Sequence, residues 1–173
     1  DWALIPHLRV PELGNAKGRS RARAELGLDE GDFLVCSFGL LAPTKLNRRL
    51  LDAWLSSALA AADGSLLVFV GEFAGGDYGE EMRKAIARSP FHDRIRITGW
   101  VDADGFRQYL AAADVGVQLR TLSRGETSGA ALDCMNYGLA IIVNANGSMA
   151  DLPDDAAWKL PDEFEDAQLV DAL

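Results

Sequence analysis

Apolar positions along the chain fall into short, nearly unbroken runs that alternate with stripes at three- and four-residue spacing. Phe33-Leu34-Val35-Cys36-Ser37-Phe38, stopped by Gly39, predicts a strand buried on both faces. Leu46, Leu50, Leu51, Trp54, Leu55 and Ala58 then recur as one helical stripe. Residues 65–70 predict a second buried strand closed by Gly71, and Tyr78, Met82, Ala85 and Ile86 mark a helix ended by Ser89-Pro90. Residues 94–98 alternate and stop at Gly99. Phe106, Tyr109, Leu110 and Ala113 give a third helix. The fourth strand is expected over 115–119, the fourth helix over 129–137, the fifth strand over 139–143 and a short edge strand over 156–160. Before this series, residues 1–10 read as a short apolar strand running into loop, 11–20 as an exposed connection and 21–27 as a short helix ending at glycine. Residues 162–173 carry an unfinished helical pattern, and the chain opens without methionine. Both ends lead to the expectation of a single domain over 1–173 that is a piece of a longer protein.

Strands alternating with helices of this length require right-handed crossovers and a parallel sheet. The expected fold is therefore α/β, an open doubly wound sheet of five to six strands, Rossmann-like, with helices on both faces. A closed eight-stranded barrel needs about 250 residues. Ligands of open sheets bind beyond the carboxyl ends of the strands, which selects the loops at 39–45, 71–77, 99–102 and 120–129.

Composition narrows the partners. The 173 residues are 49% hydrophobic and 25% charged, and 17 Lys+Arg against 26 Asp+Glu leave a formal charge of −9. That balance argues against nucleic acid as a partner but leaves room for a local basic pocket. No apolar run reaches the ~18 residues of a membrane span. Cys36 and Cys134 lie in apolar segments and read as reduced core thiols of a cytoplasmic protein. Peripheral attachment of a full-length protein to a membrane stays open. Zinc-spaced cysteine pairs, His-Glu-x-x-His and a Gly-x-Ser-x-Gly elbow are all missing from the sequence. The two histidines, His7 and His92, show no acid–base partner in their sequence context.

Among the four loops, Gly39 permits a sharp turn and Lys45 stands at the start of the next helix, where it can meet phosphate or merely be solvated. Neither a P-loop nor a Gly-x-Gly-x-x-Gly signature is present. The Gly75-Gly76 pair suits close ligand approach and a plain turn equally. In Gly99-Trp100-Val101-Asp102 the indole can cover a base or pack under the helix that Asp102 caps. The segment Arg120-Thr121-Leu122-Ser123-Arg124-Gly125-Glu126-Thr127-Ser128-Gly129 carries the most chemistry. It opens a helix whose free N–H groups attract an anion, and two arginines flank it. Glu126 suits neutral hydroxyls better than a phosphate. Asp133, two turns into an apolar helix, needs a partner such as ribose hydroxyls unless it faces solvent.

Five segments occurring in order, Phe38-Gly39…Pro43-Thr44-Lys45, Val68-Phe69-Val70-Gly71-Glu72, Ile97-Thr98-Gly99-Trp100-Val101, Ala111-Ala112-Ala113-Asp114-Val115 and Gly125-Glu126-Thr127-Ser128-Gly129, resemble one family. It comprises retaining, nucleotide-sugar-dependent glycosyltransferases with two Rossmann-like domains, called family 4, and the likeness is to their C-terminal half. Ile5-Pro6-His7 resembles the strand entered after the interdomain linker. The resemblance implies that Lys45 binds the donor diphosphate and that Lys45 and Glu126 are the catalytic residues. Glu126 would address the transferred sugar and Asp133 the ribose. Thr127, Ser128 and Gly129 would supply phosphate-binding backbone, and Gly39, Gly99, Trp100 and Val101 would line the nucleotide. The family's arginine directly after the glycine is Leu40 here, and Arg120 or Arg124 is the candidate replacement. The first family glutamate would fall on Gly125, one place before Glu126. The resemblance further implies a nucleoside-diphosphate sugar and an unidentified acceptor as substrates, no metal or other cofactor, and an N-terminal domain outside this chain. The alternative is a non-catalytic nucleotide- or sugar-phosphate-binding or protein-interaction module, which Leu40 favours.

Overall fold

The computed structural model describes residues 9–10 and 16–173. Alternation of side chains along its strands divides the apolar residues into two cores. Leu34, Cys36, Phe38, Val68, Val70, Ile141 and Val143 face one way. Val35, Leu67, Phe69, Val117 and Ile142 face the other. A strand that is apolar on both sides must be covered on both, and this sheet is.

Six strands form one sheet: β1 (Phe33–Phe38), β2 (Ser65–Val70), β3 (Ile95–Ile97), β4 (Val115–Gln118), β5 (Ala140–Asn144) and β6 (Trp158–Leu160). Their order is β3-β2-β1-β4-β5-β6, and every pairing is parallel. Helices α1 (Ala16–Glu25), α5 (Ala103–Ala112) and α6 (Gly129–Asn136) contribute Ala22, Leu110 and Cys134 to the first core. Helices α2 (Asn47–Ser56), α3 (Ala58–Ala61), α4 (Tyr78–Arg88) and α7 (Asp166–Ala172) contribute Trp54, Ala60, Met82 and Leu169 to the second. The expected open doubly wound sheet is the observed one.

Two segments differ from the sequence reading by more than a shift of one or two residues at an end. The connection expected through residue 20 is helical from Ala16. Its segment AKGRSRARAE lacks an apolar stripe, and α1 is held instead by Arg19 and Arg23, which both reach Asp114. The single stripe over 46–58 is two helices, because Ser57 adopts an extended backbone, donates its hydroxyl to the Trp54 carbonyl and caps α3 through the Leu59 N–H. The strand and entry motif expected within 1–10 lie outside the described residues, save for Arg9 and Val10, which belong to no regular element. Both cysteines are buried free thiols. Burial pushes the Cys36 thiol up, and Cys134, also buried, is pushed up to about 12. No helix among the described residues is long and apolar enough to cross a membrane.

The order places a topological switch between β1 and β4, where the chain has turned outward through β2 and β3 and returns on the other side of β1. Close packing of the β1 and β2 exits fixes one wall of that crevice. The Gly39 N–H donates to the Val70 carbonyl at 2.9 Å, and the Leu41 N–H donates to the Glu72 carbonyl at 2.8 Å. A Cβ at Gly71 would lie 2.0 Å from the Gly39 oxygen, whereas one at Gly39 meets nothing within 4 Å. Gly39 needs glycine only for its φ of +98°. Gly39→Ala is therefore expected to cost about 1–2 kcal/mol, and Gly71→Ala about 3 kcal/mol or more, since backbone must move. Equal losses in urea denaturation would show that the close approach is not what selects Gly71.

Candidate functional site

The loops leaving β1 and β4 meet across the switch, and the Thr121 N–H donates to the Thr44 carbonyl at 3.0 Å. On the β1 side, Pro43–Lys45 form a single 3-10 turn ended by Leu46 at φ 52°. Leu46 is the one non-glycine residue at positive φ among the described residues, a conformation costing roughly 1–2 kcal/mol. Asn47, buried, accepts the Ala42 N–H at 3.0 Å and anchors the turn to α2. This bend sets Lys45, half-buried, into a hollow of about 450 Å³ lined with Thr44, Leu122, Arg124 and Glu126. Burial holds the Lys45 ammonium below the usual lysine range, the Arg120 charge lowers it further, and Glu126 partly offsets both.

On the β4 side, Arg120 is 3% exposed. Its Nη1 donates to Glu126 Oε1 at 2.8 Å, while its buried Nε has no partner. Glu126 is exposed, and its second oxygen accepts the Arg124 N–H at 2.6 Å. That N–H chiefly holds the carboxyl below the usual carboxylate range, and Arg120 and Lys45 add to it. Glu126, expected to address neutral hydroxyls, accepts here from a guanidinium and an amide. Ser128, buried, caps α6 by accepting the Ala131 N–H at 3.4 Å. The amides of Gly129 and Ala130 precede any that intrahelical bonding could satisfy. Thr127 is exposed beside them.

Asp133 stands apart from this group. It ion-pairs with Arg9 at 2.5 Å, and Arg9 Nη2 also donates to the Gly129 carbonyl at 3.3 Å. Arg9, Asp133, Val101, Asp102 and Phe106 line a second hollow of about 400 Å³. Asp102 is the expected N-cap, accepting the Gly105 N–H at 2.8 Å. Gly99 turns the chain at φ 72°, and Trp100 is 72% exposed rather than tucked under α5. The candidates thus sort into a cationic hollow lined by Lys45, Arg124 and Glu126, with buried Arg120 paired to Glu126 behind it, and a second hollow with Val101 and Asp133. The amino end of α6 lies between them.

Two contributors, Arg9 and Asn144, are unmarked in the sequence. Arg9 pairs with a residue 124 positions away, and nothing local marks it. His92 does touch a carboxylate, with Nε2 3.2 Å from Asp93, but in a turn outside both hollows. Asn144, the last residue of β5, is fully buried. Its Oδ1 accepts the Arg120 N–H at 2.8 Å and its Nδ2 donates to the Arg120 carbonyl at 2.7 Å. Among the described residues no group of three or more His, Cys, Asp or Glu could hold a metal ion. Asn144→Leu keeps the branched shape but strands two buried backbone groups, an expected loss of roughly 2–4 kcal/mol. Urea denaturation of the variant measures it, and a loss within error of zero would mean that solvent reaches the Arg120 backbone.

No curated protein matches the sequence. The C-terminal domain of a glycosyl transferase group 1 family protein from Francisella tularensis superposes with a TM-score of 0.77 at 18% identity, covering 91% of this chain and 80% of that one. HepE of Anabaena, solved with UDP-glucose, gives 0.75 at 20% identity, with 91% of this chain and 43% of that chain covered. Sucrose-phosphate synthase of Thermosynechococcus elongatus gives 0.71 at 22% identity, with 95% and 42% covered. The chain therefore spans less than half the length of these last two proteins. The family model for glycosyl transferases group 1 matches residues 32–173, and the chain belongs to that family.

Proposed function

We propose that this chain is the donor-binding domain of a two-domain retaining glycosyltransferase that uses a nucleoside-diphosphate sugar. In this reading the cationic hollow takes the diphosphate and the sugar, and the second hollow takes the nucleoside. An N-terminal domain of the same protein presents the acceptor, the whole enzyme is cytoplasmic, and no metal assists. The observation that carries the proposal is that Lys45 and Arg124 line one hollow, with buried Arg120 paired to the Glu126 of that hollow, in a chain of net charge −9. UDP-glucose in the Anabaena relative supports a uridine donor as the first to try.

The physical argument concerns the leaving group. As the glycosidic bond breaks, the departing diphosphate gathers negative charge. Positive groups fixed beforehand stabilise that charge more in the transition state than in the bound donor. Lys45 and Arg120 are such groups, and the first amides of α6 add theirs. Leu40, half-exposed, cannot supply the charge expected after Gly39. Arg120 approaches from the opposite strand and makes up the deficit. Exposed apolar side chains at Leu40, Trp100 and Leu122 all sit in loops beyond strand carboxyl ends, a rim suited to being covered by a second domain that excludes water.

Leu40 also favours a second reading, a binding module without catalysis, and the two readings part on turnover. In the full-length enzyme, Lys45→Ala is expected to lower turnover about 10²-fold with thermal stability unchanged. An unaltered rate would remove Lys45 from the reaction. Binding separates the two acids. Glu126→Gln is expected to weaken UDP-glucose about tenfold without weakening UDP. Asp133→Asn is expected to weaken both, because both carry ribose. Calorimetric titration decides this, and equal loss of UDP binding in both variants would defeat the division of labour.

A further inference from the structure

The central ion pair of the cationic hollow is asymmetric. Arg120 is almost wholly buried, and Asn144 holds its backbone through both its N–H and its carbonyl. Glu126 has a side chain 52% exposed and sits in a segment without regular secondary structure. It is tied there by Arg120, by the Arg124 N–H and by the Ser148 hydroxyl, which donates to its backbone carbonyl at 3.0 Å. Lys45 lines the same hollow as this carboxylate. Arg120 Nε remains buried and unpartnered, so one carboxylate leaves the guanidinium short of acceptors.

We infer that Glu126 is the resident counter-ion of the anion site: its carboxylate occupies the place on Arg120 that a diphosphate takes, and the entering diphosphate displaces it. The inference rests on the donor-site reading and adds an order of events to it. A buried cation needs a partner at all times, and before ligand arrives Glu126 is the one available. A diphosphate brings more charge and more acceptor oxygens than one carboxylate. Displaced, Glu126 moves into solvent at small cost, since it is already half there. Repelled by the phosphates, it becomes free to accept hydrogen bonds from the hydroxyls of the attached sugar. Bare diphosphate therefore leaves the displaced carboxylate without a new partner, whereas a nucleotide sugar gives it one.

The consequence is a reversal of sign that a plain sugar ligand would not produce. Removing the charge of Glu126 is expected to tighten binding of inorganic pyrophosphate about three- to tenfold, in keeping with a half-exposed ion pair, while weakening UDP-glucose. The experiment is calorimetric titration of pyrophosphate, UDP and UDP-glucose into the wild-type protein, Glu126→Gln and Lys45→Ala. It is paired with the backbone amide resonance of Arg124 in the wild type. Saturating pyrophosphate is expected to shift that resonance in the same direction as Glu126→Gln does, since both break the amide's bond to the carboxylate. Pyrophosphate binding that is unchanged or weaker in Glu126→Gln, or an Arg124 amide that does not move, overturns the counter-ion role. If Lys45→Ala still weakens pyrophosphate in that case, the donor site itself stands. Absence of pyrophosphate and UDP binding from both the wild type and Glu126→Gln overturns both.

Discussion

A guanidinium buried at the end of a central strand is the constraint around which the carboxyl face of this sheet is arranged. Taking Arg120 out of water costs several kcal/mol unless its charge and its backbone are both satisfied. Glu126 answers the charge and Asn144 answers the backbone. Asn144 in turn donates to Asp162, which also accepts from Asn146, so the exits of β4, β5 and β6 are stitched into one polar layer. Across the switch, the Thr121–Thr44 hydrogen bond couples that layer to the turn carrying Lys45. Two like charges thereby stand close together, a placement that only the fixed backbone on either side enforces.

The opposite end of the sheet solves a similar problem for a structural purpose. Asp114 Oδ2 accepts the Leu34 N–H at 2.7 Å, and the Asp114 N–H donates to the Leu34 carbonyl at 2.9 Å. Arg19 donates to Asp114 at 2.6 Å, and Arg23, 1% exposed, bonds the carbonyls of Ala112, Asp29 and Asp32. Each Arg23 amine thus has partners, and α1 is pinned to the entries of β1 and β4. At this end the guanidinium bonds neighbouring backbone, and its buried Nε, like that of Arg120, is without a partner. The two ends differ in the carboxylate beside each guanidinium, whose side chain is 22% exposed in Asp114 and 52% exposed in Glu126.

Much of this was legible from the residues. The strands over 33–38 and 65–70 are nearly continuous apolar runs between glycine stops, and burial on both faces leaves them no alternative. Lys45 and Glu126 could be found because the loops beyond parallel strands are where ligands bind. The Ala-Ala-Ala-Asp-Val motif was recognisable only by likeness, and its physical reason, the Asp114 knot, needs three segments at once. Helix α1 was misplaced because tertiary ion pairs, rather than an apolar stripe, hold it. Asn144 looks like the polar end of an apolar strand, and only the register of β5 against β4, with Val143 beside Gln118, carries it to Arg120. Arg9 and Asp133 are joined across most of the chain, a distance over which periodicity carries no information.

Where a site takes its positive charge from determines how that charge behaves. A cation in the exposed β1 loop, at the position of Leu40, would be hydrated, mobile and screened by salt. A guanidinium anchored at the end of β4 is dry and immobile, so it meets a developing negative charge with little reorganisation. Its disadvantage is that it cannot stand alone, and some anion must accompany it in every state of the molecule. In the donor-site reading proposed above, a buried arginine in place of an exposed one brings a required carboxylate with it. The one-residue offset of Glu126 from the usual glutamate position sets that carboxylate within reach of both Arg120 and the Arg124 amide. In that reading Leu40 and Glu126, each a departure from the pattern of the resembled family, are two aspects of one electrostatic arrangement.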